Sequence, residues 1–173
     1  SRQTCALYLK GAKGTVKSLI PLMLAQMYKG VESPTELGAV MDDFNEDLAK
    51  CPFVNADEGM PAPKHGKATS TFLRSLIGSN SRSLKRKHVS NASLRGCLRL
   101  IIGANNDSLL NFGEDLTADD LDAINQRFLC ISMGSNVAAW IAANGGRKMT
   151  NRWVAGEFAS HVMWLHLNRQ VET

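Results

Sequence analysis

No stretch of these 173 residues is long and apolar enough to cross a bilayer, since none approaches the roughly 20 residues a spanning helix needs. The N-terminus also lacks the charged-then-apolar pattern of a secretory signal, so the expected location is the cytoplasm, with no membrane partner. Cysteine is sparse: Cys5, Cys51, Cys97 and Cys130 are far apart and form no C-x-x-C pair beside histidines, which argues against a zinc site. Three of them lie in or beside apolar runs that read as strands, as small buried thiols in a reducing compartment do. Internal repeats and low-complexity tracts are absent. So is a strong charge excess: a net charge of +4 does not by itself indicate a nucleic-acid binder, and local clustering must carry that argument. An initiator methionine is missing too, and the chain reads as a piece of a longer polypeptide.

What is present suits one globular domain, with 44% hydrophobic and 21% charged residues. Near its start the apolar run Cys5-Ala6-Leu7-Tyr8-Leu9 leads into Gly11-Ala12-Lys13-Gly14-Thr15-Val16-Lys17-Ser18. A strand, a glycine-bearing turn and Lys-Ser opening a helix form an arrangement that holds nucleotide phosphates. Backbone N–H groups converge on phosphate oxygens, the ammonium reaches the β- and γ-phosphates, and the hydroxyl ligates magnesium. Gly11, Gly14, Thr15, Lys17 and Ser18 are the candidate phosphate ligands. The position before the lysine is normally glycine, and here it is Val16.

The rest of the chain alternates strands with helices or long excursions, which predicts an α/β fold with a mostly parallel sheet covered on its faces. Residues 16–28 read as a buried helix in which Pro21 should cause a kink or an irregular turn just behind the phosphate site. Residues 30–38 read as a loop, and 41–50 as a short helix with Phe44 and Leu48 on one face. A strand over 52–56 ends at Asp57-Glu58, and a Pro- and Gly-bearing loop follows over 59–67. A helix is expected over 70–77, a strand over 98–102 ending at Gly103-Ala104-Asn105-Asn106, and a helix from a capping-box-like start at Thr117 to about 125. After Arg127 come a strand over 128–131 and helices over 137–143 and 151–167. The second of these helices carries Trp153, Val154, Phe158, Val162, Leu165 and Leu167 toward the core. Residues 1–135 form the expected core, and 136–173 are expected as helices on or beside it.

Adjacent carboxylates at a strand's C-terminal end suit phosphoryl chemistry. Asp57 would hold the magnesium and Glu58 would orient the attacking water. The amide of Asn105 would reach the γ-phosphate or that water, with Asn106 as a competitor. Each residue also has a plainer reading: a solvated lysine, loop acids, a turn asparagine.

In their order, Gly11 to Ser18, Phe44-Asn45, Val54-Asn55-Ala56-Asp57-Glu58, a basic hairpin, Leu100-Ile101-Ile102-Gly103-Ala104-Asn105 and Arg127-Phe128 resemble the ATPase core of phage and plasmid primase-helicases. These are superfamily 3 helicases of the AAA+ class. The resemblance implies a three-layer P-loop NTPase fold with short C-terminal helices, binding ATP and Mg2+. It implies a Walker A motif at Gly11, Gly14, Lys17 and Ser18, a Walker B pair at Asp57 and Glu58, and a sensor asparagine at Asn105. It further implies a homo-oligomeric ring, commonly hexameric, around single-stranded DNA, with a primase domain in the same longer chain. Arg127 is the candidate for the arginine supplied to a neighbour's site; its plainer reading is a surface pair with Asp119, Asp120 or Asp122.

The densest positive cluster, Ser81-Arg82-Ser83-Leu84-Lys85-Arg86-Lys87-His88-Val89, falls where that family places a DNA-contacting hairpin. Lys85, Arg86, Lys87 and His88 are the candidate backbone contacts, without base readout. Arg147, Lys148 and Arg152 form a weaker basic group, read as a solvated helix start in preference to a nucleotide sensor on the lid side. The implied function is an ATP-dependent DNA helicase or translocase motor. The alternative is a non-hydrolysing ring-forming or DNA-binding module with a degenerate nucleotide site. A small-molecule kinase on the same fold leaves the basic hairpin unexplained.

Overall fold

The computed structural model describes residues 6–28, 33–41, 45–51, 53–57, 69–96, 98–105, 122 and 125–169. Its centre is a five-stranded sheet of β1 (Ala6–Lys10), β2 (Thr35–Glu36), β3 (Phe53–Asp57), β6 (Arg99–Ala104) and β7 (Phe128–Ser132), in the order β2-β3-β6-β1-β7. Every pairing in it is parallel. Parallel strands need coverage on both faces, and the alternation of side chains shows how it is supplied. Ala6, Tyr8, Val54, Ala56, Leu100 and Ile102 join one buried cluster with residues of α2 (Leu37–Met41), α3 (Thr69–Gly78) and the 3₁₀ turn Glu46–Ala49. The intervening Leu9 and Ile101 face the other way. That side is the one taken by α1 (Leu19–Ala25), which buries Pro21, Met23 and Ala25. The result is the expected three-layer α/β arrangement.

A separate antiparallel hairpin, β4 (Ser81–Arg86) and β5 (Val89–Arg95), turns at Lys87-His88 and packs Leu84, Ala92 and Leu94 on the α2–α3 side. Beyond β7 come α4 (Asn136–Ala143), α5 (Gly146–Arg152), a π turn at Trp153–Glu157 and α6 (Phe158–Arg169). The π turn and α6 lie against α1.

Several expectations change. The first helix starts at Leu19, not at 16, and of the two outcomes expected behind the phosphate turn it is the irregular turn that is found, over residues 16–18; Pro21 sits in the first turn of α1, where its missing N–H has no intrahelical partner to lose. Residues 30–38 are not wholly loop, because β2 and the start of α2 occupy 35–38. In place of one helix over 41–50 there are the end of α2 and the 3₁₀ turn; Phe44 lies outside the described residues. The helix expected over 151–167 is broken at Gly156, whose φ of 114° no right-handed helix contains. Leu165 and Leu167 face solvent, Leu167 at 57% exposure, so the apolar face is confined to the half-buried Trp153, Val154, Phe158 and Val162. Cys130 is exposed on β7, the last strand of the described sheet, whereas Cys51 is buried as expected. Cys5, Cys97 and most of the helix expected from Thr117 lie outside the described residues. No described helix is long and apolar enough to cross a membrane.

Candidate nucleotide site

Sheet register brings the candidates together. Lys10 is level with Ala104, and Asp57 with Gly103, so the C-terminal ends of β1, β6 and β3 form one continuous rim. Ligands of parallel sheets bind outside such a rim. The turn that leaves β1 is tied to it by Gly11 N–H, which donates to the Ala104 carbonyl at 3.2 Å. Asn105 follows directly on β6, exposed at the rim.

Within the turn, Gly14 has φ 85° and Val16 φ 60°. A left-handed conformation at a β-branched residue is a true outlier and costs about 1–3 kcal/mol. This explains why glycine is usual there: the turn needs the positive φ whichever residue supplies it. Such turns point successive N–H groups into an anion-binding hollow. The Lys17 side chain, only 6% exposed, folds into its own turn. Its Nζ donates to the carbonyls of Gly11 at 2.7 Å and Ala12 at 2.8 Å, and to Thr15 Oγ1 at 3.3 Å. Three bonds match the three donors of an ammonium. Thr15 Oγ1 in turn donates to the Ala12 carbonyl at 2.8 Å, so Thr15 shapes the turn from inside. Ser18 stands exposed at the N-cap of α1, and its hydroxyl makes no capping bond.

Two glycines are fixed by close approach. A Cβ on Gly11 would lie 2.8 Å from Thr15 Oγ1, 2.9 Å from Met133 Cβ and 3.0 Å from the Met133 carbonyl oxygen, because the chain leaving β7 crosses over the turn. A Cβ on Gly103 would lie 3.3 Å from Asp57 Oδ1 and 3.8 Å from Lys17 Cβ. Gly103 is therefore the floor between the acid and the lysine, a role that the sequence reading left unassigned. The signal was available: a glycine inside an aliphatic strand marks a close approach.

Of the other candidates, Glu58 and Asn106 lie outside the described residues. Arg127 precedes β7 and its carbonyl accepts from Ala6 N–H, which puts it at the opposite end of the sheet, roughly 16 Å away at ~3.3 Å per residue. The structure does not bring it to the turn of its own chain. Lys85, Arg86, Lys87 and His88 are all exposed on the hairpin, with His88 at φ 59° in its turn. Arg152 pairs with Glu157 at 2.6 Å on the surface, which raises its pKa, while Arg147 and Lys148 are exposed. Beside the Gly11–Met133 contact, Gly134, Asn136, Val137 and Trp140 line an open, mainly apolar hollow of about 350 Å³. Among the described residues no cluster of three or more His, Cys, Asp or Glu side chains is placed to hold a metal ion. The oxygen donors at the rim, a hydroxyl and a carboxylate, are of the hard type that magnesium takes alongside phosphate and water.

The model of a family of unknown function, DUF5906, matches residues 9–127, from the end of β1 to Arg127. The chain belongs to the DUF5906 family. None of the curated proteins matches this DUF5906 chain. Among solved structures it is similar to the NrS-1 C-terminal region (305–718), with a TM-score of 0.56 and 18% identity over 83% of this chain and 35% of that one. A second form of the NrS-1 C-terminal region aligns with a TM-score of 0.52 and 19% identity over 90% and 37%. The DUF5906 chain thus spans a little over a third of the length of these structures. At such identities the likeness is one of fold, and the fold is P-loop NTPase-like: a parallel five-stranded sheet between helical layers.

Proposed function

We propose that this chain is the ATP-hydrolysing motor module of a DNA helicase or translocase acting in phage or plasmid replication. The observation that carries the reading is the convergence of Lys17 and Asp57 on Gly103, at the rim where the phosphate turn opens. In this reading Lys17 turns from its own carbonyls onto the β- and γ-phosphates, while Ser18 and Asp57 hold Mg2+. Asn105 contacts the γ-phosphate. Glu58 takes a proton from the attacking water as the bond between the γ-phosphorus and the bridging oxygen breaks and ADP departs. Arg127, far from its own turn, would serve a neighbour's site in a homo-oligomeric ring, taken as a hexamer, and Lys85 to His88 would track the backbone of single-stranded DNA. A primase domain elsewhere in a longer chain belongs to the same proposal.

The second reading, a non-hydrolysing module, is favoured by the strained Val16 and by the ammonium already saturated within its turn. Titration with Mg2+–ATP, followed by hydrolysis assays with and without single-stranded DNA, separates the two. The motor reading expects binding, turnover raised by DNA, and loss of both in Lys17→Ala. Glu58→Gln should bind ATP yet turn over at least 100-fold more slowly. Absence of binding in the parent chain would leave the non-hydrolysing reading standing.

A further inference from the structure

Asn45 stands just before the 3₁₀ turn Glu46–Ala49, at a position where an asparagine ordinarily turns its side chain on the first amides of its own helix. It makes no such bond. Its Oδ1 instead accepts from Lys85 N–H at 2.9 Å, its Nδ2 donates to the Ser83 carbonyl at 3.3 Å, and its backbone N–H donates to the Lys85 carbonyl at 3.2 Å. One residue thereby pairs three main-chain groups of β4, in the manner of a neighbouring strand.

The place is significant because the hairpin ladder is irregular there. Leu84 is level with Ala92 and Arg86 with Val89, so Ser90 and Asn91 together oppose Lys85. A bulge disturbs pairing and re-aims side chains. Asn45 clamps the opposite edge of β4 at this point. Its own footing is firm: Leu48 is buried in the main cluster, and Thr35 Oγ1 on β2 donates to the carbonyls of Asp47 at 3.3 Å and Cys51 at 3.0 Å.

We infer that Asn45 is a positioning residue, which fixes the backbone at Lys85 and so sets where Lys85, Arg86, Lys87 and His88 stand against a polyanion. The inference rests on the proposed reading of the hairpin as a single-stranded DNA contact. It is tested in the whole chain with Asn45→Ala and Asn45→Asp, the latter keeping an acceptor for Lys85 N–H. The readouts are amide hydrogen exchange at Lys85, affinity for a labelled oligothymidylate across a salt series, and Mg2+–ATP hydrolysis without DNA.

In Asn45→Ala, exchange at Lys85 should quicken and affinity fall, each by about tenfold, the scale of one to two net hydrogen bonds. The salt slope should stay near the parent's because no cation is removed, and hydrolysis without DNA should not change. Asn45→Asp should keep the protection and most of the affinity. A full loss of affinity in Asn45→Asp with Lys85 still protected would overturn the inference, and that variant decides the matter if Asn45→Ala does not fold. Lys85→Ala and Lys87→Ala separate the two layers of the argument. If they bind DNA like the parent while Asn45→Ala unprotects Lys85, the DNA reading fails and the clamp stands. If they weaken binding while Asn45→Ala leaves Lys85 protected, the clamp alone fails.

Discussion

At the scale of single residues, Val16 shows how geometry outlasts the residue type that suits it. The turn between β1 and α1 holds a positive φ at this point because Gly11, Thr15 and Lys17 bond around it, and the valine conforms. Val16→Gly should relieve the strain at some cost in unfolded-chain entropy, for a net gain of about 1 kcal/mol by urea denaturation. It should also tighten Mg2+–ATP binding by calorimetry, since the backbone can then approach phosphate unshielded. An unchanged affinity would mean that the branched side chain was never in the way. The departure from glycine was visible in the sequence; its φ was not, because a substituted motif does not say whether the backbone changed with it. Asn45 was noticed only as part of a motif, since a bond to a residue 40 positions on leaves no local trace.

Elements were legible in proportion to how strongly their composition repeats. The aliphatic strands β1, β3, β6 and β7 emerged within a residue or two, whereas the charge run marked only the place of the hairpin, whose form was expected from the family resemblance. By contrast β2, with two residues, and α2, with five, are too short to show a period. Pro21 announced the irregular turn but not the helix start, because its effect depends on its place in the helix, and the start at Leu19 is set by the turn before it. Gly156 carried a usable hint of the break before α6, which a continuous apolar pattern overrode. One test belongs to this scale, at the rim where three strands end. Gly103→Ala would push a methyl to within 3.3 Å of Asp57 Oδ1, which should weaken Mg2+-dependent nucleotide binding about tenfold. Thermal stability should fall by no more than about 1 kcal/mol, because the crowded atom belongs to an exposed side chain that can move. A large loss of stability with binding intact would place the crowding in the core instead.

For the molecule as a whole, stability at high pH is tied to Tyr8. Its ring is 1% exposed, and its hydroxyl has no hydrogen-bond partner among the described residues. Burial raises its pKa above 10.0, and the neighbouring Cys130 adds to the shift. The folded state thus retains a proton that the unfolded chain releases near pH ~10. This contribution to stability is fully present below that pH and is lost as pH rises through the folded value. Tyr8→Phe should remove that part of the alkaline slope and, by discarding an orphaned hydroxyl, stabilise the fold by about 1 kcal/mol at neutral pH. Urea midpoints at pH 8 and 10.5 check both expectations, and an unaltered slope would assign the alkaline loss to other groups.

The strand order also bears on how the molecule comes into being. β1 is made first, yet its two neighbours, β6 and β7, enter at residues 99 and 128. Pairing at such separations is slow, because a long stretch of chain must be drawn in before any contact rewards it. During translation the glycine-bearing bend must therefore wait, without flanking strands, until residues up to 132 have left the ribosome. The segment from β2 to the hairpin has near partners and can assemble earlier, so the nascent protein acquires its hairpin before the bend between β1 and α1 is flanked on both sides.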